Sequence, residues 1–300
     1  MDFVVKVERL PAPGETVLGG GFQMIPGGKG ANQACAAGRL AGASIATRMV
    51  GRVGYDLFAD HLKASLSAAG VDVAYVHATR AQPTGVAFIW VDRDGQNSIV
   101  VASGANHVFP AAEVEGLRGA FRSAAYALFQ LETPLAAVMA ALKLARDEGA
   151  QTVLDPAPAQ PLSRDLLAQV DILTPNESEA AILLGRDPGE GAGEPLDTTR
   201  ALLAMGPKTV ILKLGAKGCF YNDGLSPLHV PAFDVTPVDT TAAGDTFNGA
   251  LAVALAEGKA VNEALLFANA AAGLSVTRLG AQASIPSREE TIRLLTTRAS

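Results

Sequence analysis

Asp245 stands in the setting that best suits chemistry. It follows three small residues, Ala242, Ala243 and Gly244, where a candidate strand at residues 233–238 gives way to an apolar run at residues 249–255 suited to a helix. Small residues let backbone N–H groups approach an anion. A helix start leaves about four such groups without intrahelical partners and adds about half a positive charge from the aligned peptide dipoles. Phosphate fits such a place. A carboxylate beside it is disfavoured unless it has a task, and accepting a proton from an attacking hydroxyl is one. The plainer alternative is a capped helix start, with Asp245 or Thr246 bonding the first amides.

Other polar residues fall in comparable places. GGKGAN at residues 27–32 opens a helix with glycines that admit a polar ligand closely, while Lys29 and Asn32 carry hydroxyl-binding groups. It is not a nucleotide-binding loop of the Walker type, because Lys29 is followed by Gly30. Glu132, Asp155, Asn176, Glu177 and Glu179 each follow or end an apolar strand-like run. Singly, each reads equally as a helix cap or a solvated turn. KLGAKG, from Lys213 through Leu214, Gly215, Ala216 and Lys217 to Gly218, makes a strand-to-strand turn that could lie along phosphates or be a plain hairpin. His61, His77, His107 and His229 lack metal-ligand spacing, which argues against zinc.

The elements that must position these residues alternate. Helical patterns at residues 31–40, 57–69, 135–148, 176–184 and 198–205 lie among short apolar strands at 45–50, 125–130, 152–155, 170–173 and 209–213. That texture predicts one α/β domain with a doubly wound, mostly parallel sheet flanked by helices, its ligands beyond the carboxyl ends of the strands. Residues 3–7, 16–24, 85–91 and 98–102 read as hairpin strands around turns such as Pro13-Gly14 and Asp94-Gly95, and together predict a small separate sheet carrying Trp90. Residues 249–274 predict two packed Ala-rich helices, and residues 187–195 a flexible surface loop.

Composition narrows the function classes. With 49% hydrophobic but only 5% aromatic residues, packing must rest on Ala, Leu and Val. The formal charge of −6, with scattered Lys and Arg, argues against a nucleic-acid surface. No apolar run approaches 18 residues, and MDFVVKVERLP does not read as a secretory signal. Cys35 and Cys219, far apart in sequence, read as reduced thiols of a cytoplasmic protein.

Taken together, GGKGANQA at 27–34, QLE at 130–132, TPNESEA at 174–180 and DTTAAGDTFNGAL at 239–251 resemble the ribokinase-like carbohydrate kinase family, over essentially the whole chain from Asp2 onward. GGKGANQA and the closing VTRLGAQAS at 276–284 are similar to the ribokinase branch in particular. The resemblance implies ATP-dependent phosphorylation of D-ribose at its 5-hydroxyl. Alternatives are a kinase of deoxyribose, a nucleoside or a keto-sugar acid, or a catalytically impaired sugar-binding protein.

The resemblance also assigns roles. It makes Asp245 the base, Ala242, Ala243 and Gly244 the anion hole for the transferring phosphoryl group, and Asp2, Gly28, Lys29, Gly30, Asn32 and Glu132 the sugar contacts. Asn176, the segment from Lys213 to Gly218, Gly244 and Asn269 line the ATP site, and Glu179 organises Mg²⁺ through water. Asp239, Thr241, Ser275, Arg278, Gly280 and Ser284 surround a potassium ion, the last four mostly through backbone oxygens. The hairpin sheet becomes a lid, with Ala87, Ile89 and Val101 as apolar sugar contacts, that pairs two subunits into a homodimer. Members of the family begin with a buried strand ahead of the point matching Met1-Asp2, so the expectation is a sheet short of that strand and a start assigned too late.

Overall fold

Short apolar runs without polar alternation make stable strands only where both faces are covered, and the chain supplies the cover by alternating them with helices. The computed structural model describes residues 1–93 and 96–298. In chain order the elements are β1 (Asp2–Val7), β2 (Gly19–Ile25), α1 (Lys29–Leu40), β3 (Thr47–Gly54), α2 (Leu57–Ala68), β4 (Val71–Thr79), β5 (Val86–Val91) and β6 (Asn97–Ala102). A short α3 (Arg118–Phe121) precedes β7 (Tyr126–Phe129), α4 (Leu135–Asp147), β8 (Gln151–Leu154), α5 (Arg164–Leu167), β9 (Ile172–Leu173), α6 (Glu177–Leu183) and α7 (Pro195–Leu203). The chain closes with β10 (Thr209–Lys213), β11 (Cys219–Asn222), β12 (Leu228–Val230), α8 (Ala243–Ala256), α9 (Val261–Ser275) and α10 (Arg288–Arg298).

The main sheet runs β12-β11-β10-β9-β8-β7, parallel from β7 to β10 and antiparallel beyond. Its period-two alternation separates two cores. Ile211 joins the cluster built by α1, α8 and α9, whereas Val210 and Leu212 join the one containing Leu142, Leu173 and Leu202. Helices therefore cover both faces, as the doubly wound expectation requires. The low aromatic content shows where α1 meets α8: a Cβ on Gly249 would lie 2.6 Å from the Gln33 carbonyl and 2.7 Å from Ala36 Cβ.

β3 and β4 form a separate parallel pair, and no ladder joins β3 to β7 among the described residues. β2, β1, β5 and β6 form the small sheet expected from the hairpin texture, although its centre, β1 on β5, is parallel. The Asp94-Gly95 turn lies outside the described residues.

Several expectations need correction. Residues 233–238 form no strand: Pro231 and Pro237 lack an N–H, and the amides of Val238 and Asp239 instead donate to the Val276 carbonyl. β4 was not expected, yet its VDVAYVH alternation is that of a half-buried strand. Residues 187–195 are anchored, because the buried Ala192 presents its carbonyl to Arg186 Nη1 and, at 2.6 Å, to Thr198 Oγ1. No helix among the described residues is long and apolar enough to cross a membrane.

Candidate active site

The parallel strands deliver polar residues to one edge of the sheet. Gln130 and Glu132 follow β7, Asp155 follows β8, Asn176 follows β9, and Lys213 ends β10. The starts of α1, α6 and α8 meet them there, so helix dipoles and strand ends converge on one cleft.

At α1, Gly28 takes a φ of 94° and no side chain of its own turn caps the helix. Glu132 does so from the end of β7, its Oε2 accepting from the Lys29 amide at 2.9 Å. Burial pushes the Glu132 carboxyl up, and the Lys29 amide and ammonium oppose the shift. Gly27 leaves room for the Asp2 carboxylate, which any Cβ there would strike, and burial pushes Asp2 up as well. The lid strand and the cleft floor thus bring Asp2, Glu132 and Lys29 to one helix start.

At α8, Ala242 adopts a left-handed conformation with φ 60° and ψ 13°, which costs an L-residue about 1–2 kcal/mol. No side chain caps this helix. The first turn of α8 carries the positive end of its dipole beside Lys213, whose Nζ would lie 3.3 Å from a Cβ on Gly244, and the Ala243 amide makes a long bond of 3.3 Å to the Thr240 carbonyl. The capped-start alternative fails here. Asp245 accepts from Asn32 Nδ2 at 2.9 Å and Gln33 Nε2 at 3.1 Å instead of from helix amides, and Thr246 Oγ1 is buried without a partner. Asp245 is only 5% exposed. Burial pushes its carboxyl above the ordinary value, the charge of Asp155 acts in the same sense, and Lys29, Asn32 and Gln33 oppose.

For Asn176 and Glu179 the cap alternative holds. Asn176 Oδ1 accepts from the Glu179 amide and Glu179 Oε2 from the Asn176 amide, both at 2.8 Å, closing a capping box at α6. Burial pushes Glu179 up, with Lys213 opposing. Lys213 Nζ pairs with Asp155 Oδ1 at 2.9 Å. Burial pulls that ammonium down, but Asp155 and Glu179 outweigh it and leave it raised. Beyond Lys213 the chain turns through Gly215, with φ 57°, and Gly218, with φ 94°; Leu214 is buried, and Ala216 and Lys217 are exposed. Asn269, on α9, is buried beside this loop. Its Nδ2 donates to the Val230 carbonyl at 3.0 Å and the Pro231 carbonyl at 3.3 Å, fixing the chain against which Gly218 packs.

Asp239 ties two loops together. Its Oδ1 accepts from the Thr241 amide at 2.9 Å and hydroxyl at 2.6 Å, and its Oδ2 from the Gly280 amide at 2.9 Å. Burial works against its charge, but these donors hold the carboxyl below its usual range. Ser275 and Ser284 turn their hydroxyls onto the carbonyls of Ala272 and Ala281, and Arg278 pairs with Glu290. The side chains of these last three are therefore committed locally.

Gln33, Gln130 and Asp155 also belong to the cleft floor, though only the last drew notice in the sequence. Gln33 Nε2 donates to Asp155 Oδ2 at 2.9 Å as well as to Asp245, while Gln130 Nε2 donates to Gln33 Oε1. The signal was the glutamine inside GGKGANQA. On the lid, strand register places Ala87, Ile89, Ile99 and Val101 on the face shared with Asp2. Phe3, Phe88 and Trp90 lie on the other face, where Phe3 stacks on Phe22 and Phe88 and meets Phe58 edge-on.

A family model described as pfkB family carbohydrate kinase matches residues 1–288. The chain is 42% identical to a ribokinase of Haemophilus influenzae over 294 residues, covering 98% of this chain and 95% of that protein. It is 43% identical to a ribokinase of Bacillus subtilis over 296 residues, covering 98% and 96%. The solved structure of Arabidopsis thaliana ribokinase complexed with ribose and ATP superposes with a TM-score of 0.88 at 36% identity, covering 98% of this chain and 95% of that one.

Proposed function

The chain belongs to the pfkB family of carbohydrate kinases, and from that premise we propose that it transfers the γ-phosphoryl group of ATP to the 5-hydroxyl of D-ribose. The observation that carries this reading is Asp245, a buried carboxylate held by two side-chain amides beside an uncapped helix start. Ribokinases at 42% and 43% identity supply the substrate.

Phosphoryl transfer asks the protein for positioning and charge stabilisation more than for covalent chemistry. Asp2, Gly28, Lys29, Gly30, Asn32 and Glu132 hold the sugar hydroxyls. Asp245 removes the proton of the 5-hydroxyl, whose oxygen then attacks the γ-phosphorus while ADP leaves. The amides of Ala242, Ala243 and Gly244 receive the equatorial oxygens of the transferring group, where charge develops. Lys213, Leu214, Gly215, Ala216, Lys217 and Gly218 lie along the nucleotide with Asn176, and Asn269 shapes that wall from behind.

Among the described residues no group of three or more His, Cys, Asp or Glu is placed to hold a metal. Glu179 would organise the water through which Mg²⁺ is held, because this ion keeps most of its hydration and leans on substrate phosphates. When bound, it screens the charge of the phosphates. Asp239, Thr241, Ser275, Arg278, Gly280 and Ser284 would hold potassium, the last four mostly through backbone oxygens, a reading supported by the way Asp239 draws the Thr241 and Gly280 segments together. Two buried thiols, with Cys219 pushed up to about 12 by burial, suit a reducing cytoplasm. The exposed apolar side chains Phe22, Met24, Phe88 and Val100 suit pairing of two copies through the lid.

The test is a panel of ribose, deoxyribose, a nucleoside and a keto-sugar acid, read as ADP released, in potassium and in sodium. Ribose should give the highest kcat/KM and potassium the higher rate. Preference for another acceptor would replace the substrate assignment, and indifference to the cation would remove the potassium site.

A further inference from the structure

Two carboxylates share a single buried glutamine, and one of them also holds an ammonium. Gln33, only 1% exposed, sits in the first turns of α1, and its one Nε2 group serves both Asp155 Oδ2 and Asp245 Oδ1. Gln130, from the end of β7, donates to Gln33 Oε1 and so fixes which end of the amide faces the carboxylates. Asp155, 3% exposed, spends its other oxygen on Lys213 Nζ. The result is a continuous chain from Asp245 through Gln33 and Asp155 to Lys213, the residue that ends β10 and whose ammonium lies beside Gly244.

We infer that Gln33 is a positioning residue, which holds the Asp245 carboxylate toward the acceptor hydroxyl and couples it, through Asp155, to the ammonium at the phosphate end of the cleft. This inference rests on the reading of Asp245 as the base. The geometry gives Asp245 one donor per oxygen, Asn32 on Oδ2 and Gln33 on Oδ1, which fixes the plane of the carboxylate. Asn32 belongs to the acceptor side. Gln33 is the link that reaches the nucleotide side.

Charge makes the coupling measurable. The groups facing Asp245 are Lys29 of α1, Glu132 after β7, Asp155 after β8 and Lys213 of β10. Asp155 disfavours ionisation of Asp245, and the Gln33 donor favours it. Removing each should therefore move the acid limb of the rate profile in opposite directions. Loss of Gln33 makes Asp245 harder to ionise, and that limb rises in pH. Loss of the Asp155 charge makes it easier and also frees the Lys213 ammonium, so the limb falls.

The experiment compares kcat and kcat/KM against pH for the wild type, Gln33→Leu, Asp155→Asn and Asp245→Asn, with thermal unfolding midpoints alongside. Gln33→Leu should lower kcat by about 10-fold to 100-fold with little change in the KM for ribose, since a small misplacement of a reacting group costs up to about 10²-fold. Its acid limb should move up and that of Asp155→Asn down. A general loss of stability would not move the two limbs apart. Unshifted limbs, or limbs shifted in the same direction, overturn the inference. If Gln33→Leu fails to fold, Asp155→Asn decides alone, and an acid limb at or above that of the wild type overturns it. Near-normal turnover by Asp245→Asn would instead remove the underlying reading of the base, so the two failures are distinct.

Discussion

The floor and the lid of one cleft satisfy different demands. On the floor, Gln33, Asp155 and Asp245 are each at most 5% exposed, and their polar groups find partners on different strands and helices. On the lid, β2 and β6 are exposed almost throughout, with Phe22 at 59% and Val101 at 63%. Buried polar groups must be paired or they cost about 1–3 kcal/mol each, which makes the floor a single specified arrangement. The lid owes its form to backbone pairing and to aromatic stacking around Phe3, and leaves its apolar side chains for something else to cover. A site that must hold charge rigidly yet admit and release a sugar is served by that division.

The comparison can be broken first at Asp245. Asp245→Asn should lower turnover by about 10²-fold to 10⁴-fold and leave nucleotide binding nearly intact, as steady-state rates and ADP titration will show. Because the base works ionised and its carboxyl is raised by burial and by Asp155, wild-type kcat/KM should fall with decreasing pH at a point above about 3.9, the ordinary aspartate value. An acid limb at or below that value would contradict the burial argument.

A second break lies in the packing beneath the floor. Gly249→Val forces side-chain atoms into the Gln33 carbonyl and Ala36, and overpacking of this kind costs about 1–3 kcal/mol. Urea denaturation should show the loss, and kcat should drop with it because Asn32 and Gln33 ride on the displaced helix.

On the lid the expectation is reversed. The proposed pairing of two copies through the lid requires that Phe88→Ser weaken self-association by at least about 10-fold, since one anchoring aromatic is commonly worth about 2 kcal/mol or more in an interface. Light scattering reads the change, and a stable dimer in the variant would exclude this face. The smallest effect belongs to the junction of the two regions. Asp56 caps α2 through the amides of Phe58 and Ala59 and also accepts from the Thr84 amide and hydroxyl just before β5. Asp56→Ala should cost about 0.5–2 kcal/mol of stability, seen as a lower unfolding midpoint.

What could be read ahead of the structure follows the range of the interactions. Strand ends, small-residue turns and helix starts are local, so the cleft edge and Asp245 stood out in the sequence. The partners of Asp245 did not, because Asn32 and Gln33 lie more than 200 residues away and meet it only through the close contact of α1 and α8. Residues 233–238 misled because FDVTPV has strand composition, while its proline and its bonds to Val276 belong to a loop. Asn269 likewise meets its partners only in the folded chain. Its position late in α9 gives no local sign that its Nδ2 donates to two backbone carbonyls near Gly218.

The glycine contact between α1 and α8 also sets how the molecule breathes. With no side chain between Gly249 and the backbone of Gln33 and Ala37, the two helices have no soft layer in which to slide. Their amides should exchange with solvent through one shared opening, close in free energy to global unfolding, whereas those of β2 and β6 should exchange through small independent fluctuations. Time in the open state would then be a property of the lid alone, and the proton acceptor would wait in a part of the molecule that scarcely moves.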